Sequence, residues 1–203
     1  MGLNHAVITV VNRDDLADSG ASHYRKCLEA VRESSPEVTL ELLCSDLAGD
    51  HQALQELLNG LELEVFAHNV ECVPRLDSKV RDHRATFGQS IGILKEAKKL
   101  RPDILTKSSI MVGLGETDDE ITEALRLLKD AGVDLVTIGQ YLAPSPKHLA
   151  VDRFPEPERY EEWSRQIEEM GFLGWACGPL VRSSYKAGEL LTKASARLRT
   201  EKE

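Results

Sequence analysis

Ile110-Met111-Val112-Gly113-Leu114-Gly115-Glu116-Thr117-Asp118-Asp119-Glu120-Ile121 is the stretch on which the fold turns. It opens as an apolar run of strand type and passes through a turn holding two glycines. Thr117 and Glu120 then have the T-x-x-E spacing of a capping box, which starts a helix. Ile121, Ala124, Leu125 and Leu128 fall on one face of that helix, and Ala131-Gly132 ends it. Leu135-Val136-Thr137-Ile138-Gly139 follows as the next strand. The unit is therefore strand, turn, helix, strand, the repeat of a parallel sheet.

The same alternation extends toward the N-terminus. Val7-Ile8-Thr9-Val10-Val11 is a continuous β-branched run, which predicts a strand buried on both faces. The helix after it carries Tyr24, Cys27, Leu28 and Val31 on its inward face. Val38 to Leu43 is a second strand, followed by a helix capped by Asp50, with Leu54, Leu57, Leu58 and Leu61 as its stripe and Gly60 at its end. Val65-Phe66-Ala67-His68 is a third strand, with Phe87, Ile91 and Leu94 on its return helix before Pro102. The fourth strand is expected to be split by polar residues into Ile104-Leu105 and Ile110-Met111-Val112. Beyond Pro144 and Pro146 the pattern loosens. Tyr160, Trp163, Ile167 and Met170 mark one helix, Trp175 to Gly178 is strand-like, and Ala187, Leu190, Leu191, Ala194 and Leu198 mark the last helix, with a charged tail from Arg197 expected to fray. Strand starts near 7, 38, 65, 104 and 135 predict an α/β domain. A closed eight-fold barrel needs about 250 residues, so the reading is a partial parallel (βα) barrel over 1–150. Residues 151–203 add C-terminal helices packed on the same domain. Period alone does not separate this from a doubly wound sheet.

Composition narrows the function. With 25 Lys and Arg against 34 Asp and Glu, the net charge is −9, which argues against nucleic acid or an anionic membrane as partner. No apolar run approaches the roughly 20 residues of a membrane span, and the chain opens without a secretory or transit pattern. The four cysteines have no CxxC spacing, and the histidines no HxxxH or HxH. A reduced, cytoplasmic protein is expected.

Polar residues gather where strands end, the edge at which parallel α/β folds bind ligands. Gly113, Gly115 and Glu116 lie at a helix start whose free N–H groups suit a carboxylate or phosphate. Glycines at such turns are also common for purely geometric reasons. Asn69 and Glu71, two apart past a strand, suit ribose hydroxyls; the plainer reading is a solvated loop. Asn12-Arg13-Asp14-Asp15 fits a ligand amine or a local ion network. Lys107, inside a strand, needs a partner if buried, and could serve as a Schiff-base lysine or hold a substrate carboxylate. Arg75, Lys147 and His148 add cations on loops, each also consistent with plain surface. Cys177 reads as a packed thiol. No side chain is assigned a catalytic role.

Taken together and in order, five blocks resemble the lipoyl synthases, a family of radical SAM enzymes: GLNHAVITVVNRDDLADSGASH from Gly2, HNVECVPRL from His68, KSSIMVGLGETDDEI from Lys107, LVTIGQYLAPSPKHL from Leu135 and GPLVRSSY from Gly178. The resemblance implies a barrel of radical SAM type with its first strand missing. It implies sulfur insertion at C6 and C8 of a protein-bound octanoyl chain, with two 4Fe–4S clusters and S-adenosyl-L-methionine as cofactors. One cluster would reduce S-adenosyl-L-methionine to a 5′-deoxyadenosyl radical, and the auxiliary one would donate sulfur. Octanoylated lipoyl carrier domains (the glycine cleavage H protein or dehydrogenase E2 subunits) and an electron donor are the implied partners.

By the same resemblance Asn69, Glu71, Gly113, Gly115, Glu116 and Gln140 fall at the adenosyl ligand, and Ser184 at the auxiliary cluster. Arg75, Lys107, Lys147, His148 and Arg182 fall toward the substrate. Oxygen is a poorer ligand than thiolate for iron–sulfur iron, which suits a cluster that gives up sulfide. Ala67, Cys72, Asp77, Asp82 and Ser109 depart from the family pattern, and the change at Ala67 bears on the adenosyl site. The family's CxxxCxxC and its second cysteine triplet are not among the 203 residues and are expected upstream of Met1. The readings carried forward are a lipoyl synthase completed by cysteine-bearing sequence, a non-catalytic binding remnant, and a Lys107-dependent barrel aldolase.

Overall fold

The computed structural model describes residues 2–200. Six parallel strands form one sheet in sequence order: β1 (His5–Thr9), β2 (Thr39–Leu43), β3 (Val65–Ala67), β4 (Leu105–Val112), β5 (Leu135–Gln140) and β6 (Gly174–Gly178). The sheet does not close; β1 pairs only with β2, and β6 only with β5. The helices are α1 (Ala21–Ser34), α2 (His51–Leu58), α3 (Asp77–Val80), α4 (Phe87–Leu100), α5 (Asp118–Asp130), α6 (Pro157–Glu169) and α7 (Ala187–Thr200).

Alternation along the strands divides the core in two. Leu40, Leu42, Phe66, Ile110, Val112, Val136 and Ile138 join the apolar stripes of α1, α2, α4, α5 and α6 in the larger cluster. Val65, Leu105 and Leu135, at the strand starts, face the other way and meet Leu173, Leu191 and Ala194. Helix α7 thus seals the N-terminal ends of β3 to β5. The opposite ends stay open, and the polar loops collect there.

Local signals hold where they are self-contained. The Asp50 carboxylate accepts from the Gln52 and Ala53 amides, and Thr117 and Glu120 form both halves of the capping box. Expectations that depended on distant partners need correction. β4 is one continuous strand, because each polar residue in it is satisfied from elsewhere. Asp134 accepts from the Thr106 amide (2.8 Å), Lys107 reaches Glu41, Ser108 accepts from the Val70 amide, and Thr137 donates to Ser109. β1 is a half-buried edge rather than a two-faced interior strand; it stops at Thr9 and leaves Val11 exposed. Cys27 lies on the outward side of α1, and α2 ends at Leu58, so Leu61 is buried beyond the helix. Arg197 to Thr200 belong to α7, while the rest of the charged tail lies outside the described residues.

Candidate functional site at the open end of the sheet

Past β3 the chain stays beside β4. The Glu71 amide donates to Ser109 O, and Glu71 O accepts from the Met111 amide. Cys72 turns back on Val70 O (2.8 Å), and Glu71 takes a φ of +65°, unusual for a non-glycine residue. This bulged path, rather than an extended one, puts Asn69 and Glu71 on a shared wall between two cavities, of about 260 and 360 Å³. The Asn69 side chain acts to lower the pKa of the Glu71 carboxyl group. Burial nevertheless dominates and raises the Glu71 pKa, with Asn69 and Arg81 opposing it.

The larger cavity has Ser109, Ile110 and Met111 of β4 in its lining, together with three further chain segments. Asn69 and Glu71 form one side, Gln140, Tyr141, Leu142 and Pro144 a second, and Val181, Arg182 and Ser183 a third. Gly139 admits the third segment, since a Cβ there would collide with the carbonyl oxygen of Val181. The Arg182 guanidinium bends back onto Val181 O (2.6 Å). Ser184 is exposed one residue further on and is outside the cavity lining. The smaller cavity is bordered by Asp46, His68 and Arg81. His68 bridges Cys44 O (2.9 Å) and Ser90 Oγ (2.8 Å), and burial holds it below its usual pKa, favouring the neutral ring.

The glycine-rich turn is not an open anion site. The Glu116 carboxylate, 5% exposed, takes the Gly113 and Leu114 amides at 2.8 and 2.9 Å, and Glu120 takes the Thr117 amide. The amides expected to meet a ligand are occupied by the turn's own acids. Gly113, Gly115 and Glu116 line neither cavity, whereas Gln140 lines the larger one. Arg75 is engaged by Glu120 through two nitrogens and by Gly115 O. Lys147 and His148 lie on the exposed loop after β5, with His148 Nδ1 2.9 Å from Ser145 Oγ.

Lys107 is 1% exposed and sits 2.7 Å from the equally buried Glu41. The pair spans β2 and β4 across β3, well inside the sheet rather than on its open end. Glu41 carries no motif that singles it out in the sequence, although a carboxylate inside Thr39-Leu40-Glu41-Leu42-Leu43 is the natural complement of a strand lysine. The Asn12–Asp15 segment is a local ion network: Arg13 pairs with Asp15, and Arg84 with Asp14.

Among the described residues no three His, Cys, Asp or Glu side chains gather as a metal site. Cys44, Cys72 and Cys177 are separate thiols whose pKa burial raises to about 12, 12 and 11. These residues do not fit an iron–sulfur cluster.

Comparison with known proteins agrees with this architecture. The chain is 47% identical over 193 residues to the mitochondrial lipoyl synthase of Homo sapiens, covering 95% of this chain and 51% of that protein. It is 50% identical over 191 residues to the lipoyl synthase of Halorhodospira halophila, covering 94% and 57%. The chain thus spans about half the length of the curated relatives it matches. Among solved structures, methylornithine synthase aligns with a TM-score of 0.67 at 15% identity, over 83% of this chain and 49% of that one. The hydrogenase maturase HydG of Carboxydothermus hydrogenoformans aligns at 0.55 and 13% identity, over 95% and 55%. These two likenesses concern the fold. No helix of the described residues is long and apolar enough to cross a membrane. The Radical SAM superfamily pattern matches residues 1–128, more than half of the sequence, so the chain belongs to the radical SAM superfamily.

Proposed function

We propose that the chain supplies the ligand-facing part of a lipoyl synthase, which inserts sulfur at C6 and C8 of an octanoyl chain carried on a lipoyl carrier domain. The observation carrying the reading is the meeting of Asn69 and Glu71 with Gln140 and the Arg182–Ser183 segment around one cavity. Asn69 offers a donor and Glu71 carboxylate oxygens to the ribose hydroxyls of S-adenosyl-L-methionine. That molecule, when bound, supplies the hydrogen-abstracting chemistry. Gly113, Gly115 and Glu116 serve the adenosyl site through the turn they build, since their polar groups are already paired. The apolar side chains of Met111, Leu142 and Pro144 in the same cavity suit an acyl chain. Arg182, Lys147 and His148 face the carrier, and Arg75 and Lys107 support the site from their ion pairs. Ser184 would offer its hydroxyl oxygen to an auxiliary cluster, and the thiolates of that cluster would have to come from polypeptide other than the described residues. Four free thiols suit the cytoplasm.

Calorimetric titration of S-adenosyl-L-methionine into the protein tests the site. Glu71→Gln should weaken binding about tenfold, the cost of impairing a charge-assisted hydrogen bond. Equal affinity in both proteins, with both folded by circular dichroism, would remove Glu71 from the site. Anaerobic treatment with iron and sulfide should give no stable cluster spectrum from this chain alone; full loading would overturn the ligand assignment.

A further inference from the structure

Residues 141–156 join β5 to α6 without a regular element of their own, yet they form one wall of the larger cavity through Tyr141, Leu142 and Pro144. A wall made by so long a connection needs fixing. The fixing is concentrated at Arg153. Its carbonyl accepts from Gln140 Nε2 (3.1 Å), and its guanidinium reaches Asp118 at 2.9 Å and Glu116 at 3.4 Å. Next to it, the Asp152 amide donates to Gly113 O (2.8 Å), and a Cβ on Gly113 would lie 2.5 Å from Arg153 O. Tyr160 donates from α6 to the same Gln140 side chain (3.2 Å). By contrast, the tip around Pro146, Lys147 and His148 is exposed.

We propose that Arg153 is a positioning residue. It pins the 141–156 loop into a socket formed by Gly113, Gln140 and the start of α5, and so sets the cavity wall without touching a ligand. This rests on the reading of that cavity as the ligand site. The charge on Arg153 is the operative feature: it lies beside two carboxylates, and its side chain is 34% exposed, so a lysine can follow the same path to Asp118.

Limited trypsin digestion followed by mass spectrometry tests the pin, because Lys147 offers a cleavage site at the loop tip. Without ligand, Arg153→Gln should speed cleavage after Lys147 about tenfold and leave cleavage after Lys98, held by Asp134, unchanged. Arg153→Lys should return the Lys147 rate to within about twofold of the parent, and Asp118→Asn should reproduce part of the acceleration. An unchanged Lys147 rate in Arg153→Gln, equal acceleration at Lys98, or failure of lysine to rescue would overturn the proposal. Calorimetry with S-adenosyl-L-homocysteine separates it from the site reading. Arg153→Gln should raise the Kd threefold or more, with lysine again restoring it. Failure of the parent protein to bind that probe would sink the site reading, while the digestion still judges the pin.

Discussion

Replacing Lys107 by methionine should be among the most damaging single changes in the molecule, and the reason is electrostatic rather than volumetric. Methionine fills nearly the same channel as the lysine stem, so cavity formation contributes little. What remains is the Glu41 carboxylate, 1% exposed, with its 2.7 and 3.0 Å partner removed. Among the described residues His5, at 3.9 Å, is the other basic side chain paired with it. Removing one member of such a pair costs about 3–5 kcal/mol, because a buried charge is left uncompensated. For a domain of this size that lowers Tm on the order of 10 °C. Replacing both residues, Lys107→Met with Glu41→Leu, removes the charge as well as its partner and should recover most of the loss. Urea unfolding of the parent, both single variants and the double variant, followed by circular dichroism at constant pH, gives the coupling energy directly. The reasoning fails if Lys107→Met loses less than about 1 kcal/mol, or if the double variant is as unstable as the sum of the singles. The same result bears on the aldolase reading: a lysine held this way is a strut, and borohydride with carbonyl substrates should trap no imine on it.

Gly139→Ala should displace the Val181–Ser184 segment, since the new Cβ meets the Val181 carbonyl, at a cost of about 1–3 kcal/mol; unchanged amide shifts for residues 181–184 in NMR spectra would contradict this. Glu120 is held at a pKa of about 2, first by Arg75 and then by the Thr117 amide. Its folded pKa lies below the unfolded value of about 4.3, so its contribution is complete above that value and is lost as pH falls through about 2. In NMR titrations Arg75→Gln should move the midpoint upward, and an unmoved midpoint would deny Arg75 that role. Cys27 should react first with a thiol reagent in the native protein, being exposed, while Cys44 and Cys72 stay protected by burial and by pKa values near 12; rapid labelling of three or more thiols without unfolding would contradict the packing.

The order of elements was legible because a parallel sheet writes itself into local patterns. Strands covered on both faces read as apolar runs, and Thr117 and Asp50 announce their helices within four residues. The errors fall where a residue's fate depends on a partner far along the chain. Thr106 to Ser109 look like a break in a strand until Asp134, Glu41, Val70 and Thr137 are placed beside them. Cys27 has the right helical spacing for the core, yet α1 presents that side to solvent. Asn69 and Glu71 stand out in the sequence as a pair past a strand, but the positive φ of Glu71, which places them on the wall shared by two cavities, leaves no mark in it. Arg153 carried no motif at all, because its importance comes from three contacts with two other segments.

The turn Gly113–Glu116 shows why a motif and its chemistry need separate arguments. Read alone, two glycines before a helix suggest amides waiting for an anion. Here Glu116 supplies the anion itself, so the turn is electrostatically closed before any ligand arrives. An internal carboxylate is always present and costs no binding entropy, which makes the turn rigid at every ligand concentration. That rigidity is useful only if something leans on the turn, and the 141–156 loop does so through Asp152 and Arg153. Glycine at 113 is then required for the approach of the Arg153 carbonyl rather than of a phosphate. The motif acts on the cavity at one remove: it holds the loop, and the loop holds the wall opposite Glu71.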